Sequence, residues 1–92
     1  MEYERDPVKD DLNVRKHRLH LQDGIVAIED DDSISWIDDR FEYGEERILT
    51  LGRLLGNVLL VVTTIVSEER TRIISVRRAE KHEEYLYYYG LP

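Results

Sequence analysis

Val58-Leu59-Leu60-Val61-Val62 is an uninterrupted apolar run in a chain whose residues are 36% charged. Branched aliphatic residues without polar alternation suit a strand buried on both faces, in the middle of a sheet. Such a strand needs partners on each side. Residues 46–51 and 71–78 supply them, separated from the run by Gly52…Gly56-Asn57 and by Ser67-Glu68-Glu69, punctuation that suits an antiparallel meander. Residues 33–37 have period-two character and add a further strand, followed by a polar, turn-prone connection over residues 38–44. In the last strand, simple alternation puts Ile74 and Val76 on the face that helices cover. Ile73, Ser75 and Arg77 then lead toward an open, polar face.

Asp6-Pro7 stops a short edge strand at Tyr3-Glu4 and supplies a helix N-cap followed by proline at the first helical position. The spacing predicts a helix over residues 7–17, with Val8 and Leu12 one turn apart and Asp11 four residues before Arg15. Leu21, Ile25 and Ile28 repeat at i, i+4 and i+7, which predicts a second helix over residues 21–29. Gly24 inside it costs about 1 kcal/mol relative to alanine. A C-terminal helix over residues 79–89 closes the chain. The expected fold class is α+β: two N-terminal helices on a mostly antiparallel sheet of about four strands, with the C-terminal helix near its open face. Residues 1–92 form one domain.

The chain has no cysteine, which excludes disulfides and thiolate metal sites and suits a reducing compartment. No apolar run approaches the roughly 18 residues of a membrane span, and the first residues are charged, so a soluble cytoplasmic protein with no membrane partner is expected. The net charge is −7 but divides unevenly. Residues 1–46 carry 6 Lys/Arg against 15 Asp/Glu, a balance of −9, whereas residues 47–92 carry 7 against 5, a balance of +2. Phosphate binding follows local potential, so a basic cleft remains open to this chain.

Residues 72–85 join an apolar strand core to Arg77-Arg78 and then, within two helical turns, to Lys81, His82 and Tyr85. Phosphate-binding and proton-transfer groups are thereby gathered in one stretch. Four further landmarks precede it: Asp6-Pro7-x-Lys9, Asn13-x-x-Lys16-His17, Gly44-Glu45-Glu46-Arg47-x-Leu49-x-Leu51-Gly52-Arg53 and Leu59-Leu60-Val61-Val62. With Arg72-Ile73-Ile74-Ser75-x-Arg77-Arg78-Ala79, their order resembles the BrnT-type toxins of bacterial type II toxin–antitoxin systems. The resemblance covers nearly the whole chain and implies a RelE-like fold and a cytoplasmic endoribonuclease that uses no metal and no cofactor. It also implies an RNA substrate and a ribbon–helix–helix antitoxin of the BrnA kind, whose helix covers the cleft and through which alone operator DNA is contacted. A catalytically weakened member that retains only antitoxin binding is the alternative. Two departures bear on it: Val58 stands where relatives often have a basic residue, and Arg5 where an aromatic residue is usual.

Metal-free RNA cleavage must deprotonate a 2′-hydroxyl, stabilise charge on a pentavalent phosphorane and protonate the leaving 5′-oxygen. The resemblance places Arg77, with Arg78 beside it, at the phosphate; adjacent arginines at a strand end also suit a solvated terminus. His17 has the intrinsic pKa for acid–base work, and Lys16 precedes it. A histidine there equally satisfies the last carbonyls of its own helix. Tyr85 falls where relatives place a tyrosine that stacks on a base or moves a proton, although the cluster of Tyr85, Tyr87, Tyr88 and Tyr89 also suits core closure or a partner interface. Glu46 is a base or an orienting group for arginine. Arg47 and Arg53 flank one strand and either reach the cleft or bracket a buried segment, and Lys81 is a further cation on the last helix. The run Glu29-Asp30-Asp31-Asp32 lacks the spacing and turn glycine of a calcium loop and is expected to be solvated.

Overall fold

The computed structural model describes residues 1–40 and 44–90. The chain runs β1 (Glu2–Glu4), α1 (Pro7–His17), α2 (Asp23–Ile28), β2 (Ile34–Asp38), β3 (Arg47–Leu54), β4 (Asn57–Ser67), β5 (Arg70–Arg78) and α3 (Lys81–Tyr89). Residues 41–43 of the expected connection after β2 lie outside the described residues. The fold is α+β, but the sheet has five strands rather than about four, in the order β1-β5-β4-β3-β2. It is mixed, because β1 pairs in parallel with β5 while the other neighbours are antiparallel. A three-residue strand carries too little pattern to announce its partner.

Strand β4 occupies the centre of the sheet, as its apolar run requires. One face packs Leu59 and Val61 with Ile73 and Val76 of β5 and with Leu21 and Ala27 around α2. The other packs Val58 and Leu60 with Leu49 and Leu51 of β3 and Tyr87 of α3. Both faces are therefore covered. Helix α3 does not stand beside an open face; it seals one.

The expected alternation along β5 fails. Val62 pairs with Ser75 but Thr63 pairs with Ile73, so Ile74 is the extra residue of a bulge. Ile73 and Val76, three apart, consequently share the helix-covered face, at 1% and 0% exposure. Strand β3 also runs on to Leu54, so Gly52 lies within the strand and not in the turn. A Cβ there would stand 1.8 Å from the Ala27 carbonyl oxygen, so glycine is what lets α2 lie on the sheet. Gly24 answers from the helix side, where a Cβ would meet Val76 Cγ2 at 2.8 Å.

Helix α1 begins and ends where the sequence predicts. Asp6 caps it by accepting from the Val8 N–H, and Pro7 follows. Its end has no glycine, and Arg18 itself adopts the left-handed conformation, φ 62°, with its N–H on the Val14 carbonyl. Val8 and Leu12, however, are 67% and 57% exposed. The buried residue of this helix is Asn13.

Candidate active site

Asn13 explains how α1 holds its place without an apolar face. Strand β1 pairs with β5 only as far as Arg72, because Asp6-Pro7 turns the chain into α1. Beyond that point the edge of β5 needs another partner. The Asn13 side chain supplies it, donating from Nδ2 to the Val76 carbonyl at 2.9 Å and accepting from the Val76 N–H at Oδ1 at 3.1 Å. Nδ2 also donates to the Leu19 carbonyl at 2.8 Å, which ties in the turn after α1. That turn is fixed further by Asp10, which accepts from the Leu21 N–H at 2.7 Å and pairs with His20 at 3.0 Å. The first of these contacts, with the second, holds the Asp10 carboxyl below its ordinary pKa.

Anchoring Asn13 to Val76 delivers Lys16 and His17, the last residues of α1, to the end of β5 where Arg77 stands. They border a cleft of about 240 Å³ whose lining also includes Lys9, Leu12, Ile74 and Ser75. Partial burial, then the positive charges of Lys16 and Arg77, lower the His17 pKa below its ordinary value. The imidazole is consequently neutral at neutral pH and free to accept a proton. Lys16 is exposed and makes no salt bridge among the described residues.

Arg77 is held from the other side. Its Nη1 and Nη2 each donate to Glu83 at 2.9 Å, a forked pair across the β5–α3 junction, and Nη1 also donates to the Arg78 carbonyl at 3.1 Å. Glu83 is 8% exposed. Burial raises its pKa, but the Arg77 fork and the Glu80 N–H, which donates at 2.7 Å, prevail and hold the carboxyl below its usual value. Glu83 thus closes the capping box of α3 and orients the arginine. The guanidinium keeps Nε and an Nη2 N–H for a further acceptor. No sequence signal singled out Glu83 or Asn13 as a positioning group, although Asn13 stands in a quoted motif and the Glu80/Glu83 spacing is that of a capping box.

The remaining candidates are dispersed. Glu46 is exposed, and Arg47, which lies 3.6 Å from Glu45, opens β3 at the far end of the sheet. Arg77 is in register with Leu60 and Leu51, so Arg47 is four residues, about 13 Å, further along. Arg53, next to last in β3, stands on another cluster. Asp30 accepts there from the Arg53 N–H at 2.8 Å and from the Tyr87 hydroxyl. Burial, then that carboxylate, push the Tyr87 pKa up to about 12. The acidic loop is therefore a fastening for α3, not merely a solvated run. Among the described residues no group of three or more His, Cys, Asp or Glu is placed to hold a metal ion. Tyr85 is 63% exposed, its ring 4.7 Å from that of Tyr89. It stands two residues, roughly 200° around the helix, from Glu83 and so faces away from Arg77. Lys81 lies two residues before Glu83, and Arg78 points to the opposite face of β5 from Arg77; both are exposed. Val58 is buried beneath Tyr87, where a basic side chain would have no water.

The family model of the ribonuclease toxin BrnT, of type II toxin–antitoxin systems, matches residues 6–83. The chain belongs to the BrnT family. Its fold is also that of the Brucella abortus ribonuclease toxin BrnT, seen in a 1.1 Å crystal structure, with a TM-score of 0.64 and 21% sequence identity. The alignment covers 88% of this chain and 99% of that one. No curated protein matches the sequence. Membership of a type II family implies an antitoxin partner. No helix among the described residues is long and apolar enough to cross a membrane.

Proposed function

We propose that this BrnT-family protein is an endoribonuclease that cuts RNA without a metal, by in-line attack of the 2′-oxygen on the adjacent phosphate. The observation that carries the reading is His17 beside Lys16 in one cleft, with Arg77 close enough for its charge to lower the His17 pKa. His17 accepts the 2′-hydroxyl proton as that oxygen attacks phosphorus. Lys16 and the unshared N–H groups of Arg77 face the charge that grows on the phosphorane oxygens. The 5′-oxygen leaves from the opposite apex as a 2′,3′-cyclic phosphate closes and takes its proton from water on that side, while the imidazolium of His17 returns its proton to solvent. Arg78, on the opposite face of β5 from Arg77, and Lys81, turned around α3 from Glu83, do not border this cleft. Glu46, Arg47, Arg53 and Tyr85 stand away from it and are left without a part in the chemistry.

The cognate antitoxin in this reading is a small BrnA-like ribbon–helix–helix protein that covers the cleft, and growth arrest follows from loss of translated RNA in the cytoplasm. Incubation of labelled RNA with purified protein in EDTA tests the chemistry. Products ending in 2′,3′-cyclic phosphate are expected, and their loss in Lys16→Gln with the fold retained. Intact RNA after incubation with the wild-type protein would leave the non-catalytic, antitoxin-binding reading in place.

A further inference from the structure

A scissile phosphate in the Lys16–His17 cleft, near Arg77, belongs to a strand that must continue somewhere, and the open edge of β5 offers a path. A second cleft, of about 370 Å³, lies along the same seam between α1 and β5, toward the chain's N-terminus. It is bordered by Arg5, Lys9 and Arg72, with the carboxylates of Glu4 and Asp6. Lys9 lines both clefts, which makes them one trough. Its lining runs along β5 from Arg72 to Ser75, about 10 Å of strand, longer than one nucleotide step.

Its charge is opposite to that of the chain. Four cations, Arg5, Lys9, Lys16 and Arg72, face two carboxylates in the lining of a protein whose net charge is −7. Both carboxylates are already engaged: Glu4 accepts from Arg72 Nε at 2.7 Å, and Asp6 caps α1. Lys9 has no such partner among the described residues. Arg5 donates to the neutral amide of Gln22 at 3.2 Å and makes no salt bridge among the described residues, although its charge is felt by Asp10. Between the two cationic ends, Leu12 and Ile74 form an apolar floor, Leu12 exposed on α1 and Ile74 displaced by the bulge. Cations spaced along a trough with an apolar surface between them suit a single-stranded polyanion that carries flat apolar faces.

We propose that the α1–β5 seam is a second nucleotide subsite for the RNA strand, in which Lys9 and Arg5 hold the phosphate next to the scissile one and Leu12 and Ile74 receive a base. The proposal rests on the ribonuclease reading. It also gives Arg5 a use: where an aromatic residue would anchor the core, an exposed cation lines the trough.

Binding of cleavage-resistant 2′-O-methyl RNA of random sequence, two and eight nucleotides long, to the full chain tests it. Lys9→Gln and Arg5→Gln are each expected to weaken the octamer about tenfold, to lower its salt slope by about one, and to affect the dinucleotide far less. Arg15→Gln, an equal charge change on α1 outside the trough, should match wild type. Octamer affinity unchanged in both trough variants, or lowered equally for both lengths, overturns the subsite. Loss of antitoxin affinity in Lys9→Gln with octamer binding intact would make the seam a protein-docking surface and overturn it likewise. Cleavage of RNA by the wild-type protein, measured alongside, separates these outcomes from failure of the ribonuclease reading itself.

Discussion

Asn13 and Val76, 63 positions apart, are joined by two hydrogen bonds that take the place of a neighbouring strand. Asn13 is 6% exposed and Val76 fully buried, so neither backbone group of Val76 has water as a substitute. Asn13→Ala is expected to destabilise the protein by roughly 2–4 kcal/mol, because buried donors and acceptors would be left unmade. Denaturant unfolding measures the loss. Asn13→Asp should be no milder, since a carboxylate cannot donate to the Val76 and Leu19 carbonyls.

Arg77 is fastened to Glu83 as well as being the phosphate-facing cation of the proposed mechanism, which changes how its substitutions must be read. A strand-end arginine on a solvated terminus would be removable without harm to the fold; one that forks onto a buried glutamate is not. Arg77→Ala should cost roughly 1–3 kcal/mol, less than for a fully buried pair because the guanidinium is partly solvated. Glu83→Gln keeps the shape and the capping role but weakens the fork. It is expected to retain most stability while cleavage falls, which thermal melts and RNA decay together would show.

Gly52 is held to glycine by a backbone, not by a flexible side chain. Gly52→Ala must drive the Ala27 carbonyl off the sheet and is expected to cost at least about 3 kcal/mol, with α2 losing its hydrogen-exchange protection first. Slow exchange of the α2 amides in that variant would contradict the packing described.

Leu55 is the reverse case. It has φ 59° at the tip of the β3–β4 hairpin and is 89% exposed, so its side chain contributes nothing that offsets the left-handed backbone. Leu55→Gly or Leu55→Asn should stabilise the protein by roughly 0.5–1 kcal/mol, read as a higher denaturant midpoint with an unchanged slope.

What the sequence disclosed follows from how local each signal is. Asp6-Pro7 determines the start of α1 through its own cap and fixed φ, and the run 58–62 declares a central strand because no polar residue interrupts it. The bulge at Ile74 carries no such mark: it is decided by the register of β5 against β4, and it inverts which isoleucine is buried. Val8 and Leu12 suggest an apolar helix face, yet α1 lies at the sheet edge and is fastened by one asparagine. Within the candidate site, Lys16, His17 and Arg77 were legible as residue types. Their assembly depended on Asn13 and Glu83, whose contacts span 63 and 6 positions. Glu46, Arg47 and Tyr85 share their motif neighbours' sequence context but not their location, since strand length and helical rotation carry them away.

The central claim is that His17, neutral because of its burial and of the charges of Lys16 and Arg77, starts the cleavage of RNA. The pH dependence of single-turnover cleavage in EDTA, for wild type and His17→Gln, tests it most directly. Because the His17 pKa is lowered, the wild-type rate should climb with pH through a midpoint below about 6.5 and level off near neutrality. His17→Gln should be slower by on the order of 10²–10⁴ and lack that rise. A variant that cuts at the wild-type rate with the same pH profile would contradict the account.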